Sequence, residues 1–211
     1  YSGKTAGLQL PGPLGAHNWH PMSFSPDTGL VYIPAQEAPW VYGDDQNYSY
    51  KEGAWNTGTD MKLGVLPTDL ATFKVLKSML KGRLIAWDPV TQKQKWSFEH
   101  GGPWNGGVLS TSGGLVFQGA SDAHFGAYDA NTGDQLWKYF TQTGVAAAPI
   151  TYQIDGEQYV AVASGWAPGT VARMSEVACS LGSRSCAARA TAPPNVAQDT
   201  SAAANMVDVM L

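Results

Sequence analysis

Two histidines three residues apart, His17 and His20, and two adjacent carboxylates, Asp44 and Asp45, are the first residues whose type and spacing bear on chemistry. Histidine is a common metal ligand, but an H-x-x-H pair with no third ligand falls short of the three or four that a metal centre needs. The pair therefore reads as hydrogen-bonding groups of a loop. Neighbouring Asp side chains are candidates for acid and base catalysis. Within Asp44-Asp45-Gln46-Asn47 they read instead as a solvated turn. No catalytic residue and no metal ligand is assigned on these grounds. Trp40, Tyr42, Tyr48, Tyr50 and Trp55 crowd the same stretch, 37–80. A long irregular insertion in a compact domain is functional or disordered, and this aromatic density argues for a loop packed over one mouth of the domain.

The frame that must position these residues is a repeat. The runs GRLIAWDPVTQKQKWSF (82–98) and FGAYDANTGDQLWKYF (125–140) put Asp88 and Asp129, and likewise Trp96 and Trp137, about 41 residues apart, the signature of a repeat architecture. Each copy has an apolar alternating run, Asp and Thr in a turn, and a second run that ends near a Trp. Asp88-Pro89 and Asp129-Ala130-Asn131-Thr132-Gly133 are turn chemistry for antiparallel hairpins. Gly113-Gly114 followed by Leu115-Val116-Phe117 adds a strand between the copies, and Leu30-Val31-Tyr32-Ile33 after Gly29 repeats that step earlier. Segments 145–150 and 159–163 flank an Asp155-Gly156 turn and give one more hairpin. Four strands per roughly 40 residues is the arithmetic of a β-propeller blade, with the large Trp of each outer strand filling the gap to the next blade. The expected fold is all-β, a partial β-propeller of about two and a half four-stranded blades over 1–166. Residues 69–80 read as a short helix with Thr68 as its cap.

Charged residues make up 14% of the 211-residue chain, against 44% hydrophobic, which suits a turn-rich β protein. A net charge of −4 with no basic block gives no footprint for nucleic acid or an anionic membrane surface, so no nucleic-acid partner is expected. No apolar run approaches the length of about 20 residues that spans a bilayer. The chain opens on Tyr1, as a segment from inside a larger gene product would. From Ala167 onward the strand-and-turn rhythm stops, and 167–211 reads as an atypical tail, either disordered or translated in a shifted frame. Its Cys179 and Cys186 do not fix a redox compartment.

The run GAHNWHPMSFSPDTGLVYIPAQE (15–37), the PWNGG motif (103–107) and the paired Asp-Thr-Gly-Trp repeats resemble the C-terminal half of the pyrroloquinoline quinone (PQQ)-dependent alcohol dehydrogenases, and most of all their quinohaemoprotein branch. The resemblance covers 1–166. It implies an eight-bladed propeller with PQQ flat near its axis, oxidising primary alcohols to aldehydes. It maps cofactor contacts onto Asn18, Trp104 and Asn105, and onto Trp166 beside Gly165. Asn18 offers an amide donor and acceptor, and Gly106-Gly107 after Trp104 would let backbone approach a flat ligand. Trp96 and Trp137, at equivalent repeat positions, read as packing. The family's catalytic Asp and calcium ligands would lie upstream, so the isolated chain is expected to be inactive. Haem c, an electron acceptor such as cytochrome c or a membrane cytochrome subunit, and a periplasmic location, associated with the inner membrane through a partner subunit, are further implications. The alternative is a non-enzymatic propeller scaffold for protein interactions, since fold alone does not specify function. A third reading, a carbohydrate-binding propeller, draws on the aromatics of 37–80.

Overall fold

The computed structural model describes residues 5–64 and 67–165, together with the backbone of four short strands beyond them. Three antiparallel sheets follow one another along the chain. The first orders β2 (Ser23–Ser25), β3 (Leu30–Glu37), β5 (Lys81–Asp88) and β6 (Lys93–His100) from one edge to the other. The second orders β7 (Asn105–Ser110), β8 (Leu115–Ala120), β9 (His124–Asp129) and β10 (Gln135–Phe140). β11 (Ile150–Ile154) and β12 (Glu157–Ser164) begin the third, and β13 (Arg173–Met174), β14 (Glu176–Cys179), β15 (Cys186–Arg189) and β16 (Met206–Met210) complete its described strands. Each full sheet is a four-stranded meander, so the repeat unit is a propeller blade and the third is present in part. The expected tail, 167–211, falls largely outside the described residues.

The meander follows from the turns. Asp88 Oδ1 accepts from the backbone N–H of Val90 and Thr91 at 2.9 and 3.1 Å, and Asp129 Oδ1 accepts from Asn131 and Thr132 at 2.8 and 3.1 Å. Each carboxylate thus ties down the turn that reverses the chain, which is why Asp recurs there. The Thr91 side chain, together with these backbone hydrogen bonds, draws the Asp88 carboxyl down to about 2, with Lys95 adding attraction.

Alternating side chains put Gly82, Leu84 and Ala86 of β5 on a buried face, and the core is the contact between blades. Leu30, Tyr32, Leu84, Ala86 and Trp96 of the first blade meet Val108, Val116, Tyr128 and Ala130 of the second. Phe117, Phe125 and Ala127 of the second meet Val145, Val160 and Val162 of the third. Each fully buried large apolar side chain contributes about 1.5–3 kcal/mol, so adjacent blades stabilise one another. The innermost strands are also laced by hydrogen bonds: Val108 N donates to Pro21 O at 3.0 Å, and Ser110 N to Ser23 Oγ at 2.9 Å.

Two local expectations are corrected. The helix, α1 (Leu70–Met79), is capped by Asp69 and not Thr68: Asp69 Oδ1 accepts from Thr72 N at 2.8 Å, because the cap is the residue immediately before the first helical one. The strand expected over 145–150 starts only at Ile150. Val145 instead spends its N–H on Ala120 O at 3.0 Å and bridges Gly165, and Pro149 has no N–H for a ladder.

The connections alternate between the two ends of the blades. The loop before β2, the 37–80 insertion between β3 and β5, the 101–104 loop before β7 and the end of β12 all lie at the same end. The insertion starts with β4 (Trp40–Tyr42), which pairs with β1 (Gly7–Gln9). It continues through a turn of 3-10 helix (Met61–Gly64) into α1. An ion pair between Glu37 and Arg83 closes its base.

Candidate functional site

The loop that carries Asn18 is strapped to the end of β3. Gln36 N donates to Ala16 O at 2.8 Å, the Gln36 side-chain amide donates to Leu14 O at 3.0 Å, and His17 Nδ1 bonds Pro34 O at 2.8 Å. Asn18 itself is exposed: its Nδ2 donates to Leu14 O at 2.9 Å and its Oδ1 accepts from Trp19 N at 2.8 Å. An amide nitrogen carries two N–H groups, so one remains for a ligand. His17 thus has the loop-bracing role expected of it. Asp45 likewise caps its own turn, accepting from Asn47 N at 2.9 Å.

The loops that carry Asn18 and Trp104 meet at His20. His20 is buried, 3% exposed, with its ring stacked on Trp19 at 4.0 Å between centroids and set edge-on to Trp104 at 6.5 Å. The imidazole fills the seam between the first two blades and backs the half-buried Trp104 indole. Burial disfavours its cationic form, and the neighbouring His17 does the same, so its pKa lies below the usual value. Trp19 leaves 67% of its surface in solvent beside Asn18. The result is a rim of mutually inclined aromatic rings, with one exposed amide in the same loop, at the common end of two blades.

Asn105 does a different task. It is 2% exposed and its Nδ2 donates to Ala35 O at 2.9 Å and to Arg83 O at 3.2 Å. Both donors are therefore spent on the first blade, and the side chain is a strut beneath Trp104. Its partners are 70 and 22 residues away, which is why no local pattern signals this role. The glycines after it are corrected too. A Cβ on Gly106 would lie 2.7 Å from Ala147 O, and one on Gly107 would lie 2.7 Å from both Pro21 and Ala148. The missing side chains admit neighbouring blades at the axis and not a ligand. Trp166 lies outside the described residues. Gly165 before it donates its N–H to Gly144 O at 3.0 Å. Among the described residues no three His, Cys, Asp or Glu side chains gather as a metal site. The structure adds Trp19 and His20 to the rim; the sequence signal was their adjacency to Asn18.

Successive four-stranded meanders, packed face to face with their inner strands laced together, define a β-propeller, present here in part. The family model for the glucose/ethanol/alcohol dehydrogenase β-propeller domain, PQQ, matches residues 65–160. The quinohemoprotein alcohol dehydrogenase of Comamonas testosteroni is 51% identical over 172 residues, 79% of this chain and 24% of that protein. The 1-butanol dehydrogenase (cytochrome c) of Thauera butanivorans is 48% identical over 162 residues, 75% of this chain and 23% of that one. Among solved structures, the quinohemoprotein alcohol dehydrogenase ADHIIG of Pseudomonas putida HK5 matches with a TM-score of 0.69 at 41% identity, over 76% of this chain and 24% of that one. The chain belongs to the PQQ-dependent alcohol dehydrogenase family, among its quinohaemoprotein members. It spans about a quarter of the length of the relatives it matches.

Proposed function

We propose that this chain is a propeller segment of a PQQ-dependent alcohol dehydrogenase that oxidises primary alcohols to aldehydes. The observation that carries the reading is the rim where the Trp19, His20 and Trp104 rings meet across two blades, with the exposed Asn18 amide in the same loop, in a chain 51% identical to a quinohemoprotein alcohol dehydrogenase over 172 residues. When bound, PQQ supplies the two-electron acceptor for the alcohol. The residues present fit part of what such a group needs, namely aromatic surface and an amide donor at its edge. Asn18 would hold the quinone by donating its remaining N–H to a carbonyl or carboxylate oxygen. Trp104, backed by His20, supplies an apolar wall that excludes water, and Asn105 holds that wall's strand at the spacing of the first blade. Trp166 is the third contact in this reading.

The base, and the ligands of a calcium ion that would polarise the quinone, would belong to the remainder of a full-length protein. Haem c, or transfer to cytochrome c or a membrane cytochrome subunit, completes the electron path, and the complete enzyme works in the periplasm, held near the inner membrane by a partner subunit. The 211-residue chain alone is expected to be inactive.

The test is reconstitution of the full-length protein with PQQ and calcium, followed by absorbance titration. Trp104→Ala should weaken PQQ binding about tenfold and Asn18→Ala a few-fold, on the scale of one buried aromatic contact and one hydrogen bond. Wild-type affinity in both variants would refute the placement.

A further inference from the structure

The insertion holds a feature that the quinone reading leaves unused. Residues 45–62 fold around a cavity of about 280 Å3, close to the lower end of small-ligand sites at about 300 Å3. Trp55 stands at its lip with 90% of its surface exposed, and Tyr48 beside it is 47% exposed. The indole is held out by construction. Asn56 Oδ1 accepts from Lys51 N at 2.9 Å, while its Nδ2 donates to Lys51 O and Ala54 O, both at 2.8 Å. One amide thereby closes 51–56 into a tight loop that presents the ring to solvent. A large apolar face left in water is costly unless something covers it.

The walls narrow the choice of ligand. Asp45 and Asp60 face Lys51 and Lys62 around the same cavity, so its lining has no net charge. An anion or a cation would meet both signs, and an apolar molecule would offer the four charged groups no hydrogen bond. Asp45 and Asp60 each use Oδ1 to cap a backbone N–H, of Asn47 at 2.9 Å and Lys62 at 3.0 Å, which leaves the other carboxylate oxygen as an acceptor. Carboxylates and ammoniums together suit a neutral molecule dense in hydroxyls, which both donate and accept. An exposed indole suits one with a flat C–H face. A saccharide has both properties.

We propose that the Trp55 cavity of the insertion is a binding site for a neutral saccharide of one to three rings, separate from the Asn18 and Trp104 rim. The inference does not rest on the quinone reading and survives its failure.

The test is a titration of the isotopically labelled 211-residue chain with maltotriose, cellotriose and methyl mannoside, with glucuronate and adenosine as charged and planar comparisons. At least one neutral saccharide should shift the Trp55 indole N–H and the Asn47 and Lys51 amide signals saturably at millimolar concentration. Trp55→Ala should weaken that binding at least about tenfold, as truncation of a central aromatic anchor does, whereas Trp55→Phe keeps it within a few-fold. Because Trp55 packs against little, both variants should retain the wild-type circular dichroism. The proposal fails if no neutral saccharide moves those signals, if glucuronate or adenosine binds more tightly, or if Trp55→Ala binds like wild type.

Discussion

Trp96 and Trp137 occupy the same place in the repeat and meet different surroundings among the described residues. Trp96 is 9% exposed, donates its indole N–H to Ala130 O at 3.1 Å and lies over Gly133 in the turn of the next blade. Trp137 is half-buried, stacked on Tyr139 at 6.0 Å and edge-on to Phe125 at 6.3 Å within its own sheet. The difference is the landing site. The second blade brings a turn between its third and fourth strands under Trp96. For Trp137 the equivalent turn of the third blade is not among the described residues. The outer Trp of the first blade is thus completed by its neighbour, as expected of a repeat whose units stabilise one another.

The largest effect expected from that contrast is on unfolding. Trp96→Ala should cost about 3–5 kcal/mol, the range for a buried Trp or Phe, and Trp137→Ala roughly half as much, read from urea midpoints. Equal losses would show that the two indoles are equally supported and would break the comparison.

Two glycines sharpen it. Gly133 (φ 79°) and Gly156 (φ 83°) both sit in left-handed backbone. A Cβ on Gly133 would lie 2.5 Å from the Trp96 ring, while around Gly156 there is open space. Gly156→Ala should cost only the backbone term, about 1–2 kcal/mol. Gly133→Ala should add overpacking of about 1–3 kcal/mol to it. If the two variants unfold at the same denaturant concentration, Trp96 does not seat on that turn.

The smallest effect concerns pH at the same seam. His100 is buried at the edge of the first blade, its Nε2 within 2.8 Å of Gln118 Oε1 in the second, and desolvation lowers its pKa. A histidine with a depressed folded pKa contributes stability that is present above its unfolded value, about 6.5, and lost as pH falls through the folded value. The urea midpoint should therefore drop as pH is lowered below about 6.5, with a shallower drop in His100→Gln. An unchanged slope would place the titration elsewhere.

Much of this architecture is legible in the chain. The Asp turns, the alternation of Leu84 and Ala86 against Arg83 and Ile85, and the spacing of Trp96 and Trp137 are local chemistry repeated, so they announce blades from the sequence alone. The helix was legible too, but not its cap, because Thr68 and Asp69 are both good capping residues and only the backbone decides which stands next to the first turn. The site was less readable. The sequence singled out Asn18 and Trp104, whereas His20, the ring between them, drew notice only as half of an H-x-x-H pair. Gly106 and Gly107 misled, since a glycine that admits a ligand and one that admits a neighbouring blade look the same in sequence.

By itself the sequence determined the repeat unit, its turns and its family, because those depend on residues within a few positions of one another. Which side chains share a seam was decided only by the tertiary structure. Asn105 reaches Ala35 and Arg83, Trp96 reaches Ala130, and His20 reaches Trp104 because blades pack at a fixed angle around an axis. That packing is set by the summed burial of two apolar layers, and no single stretch of chain contains it.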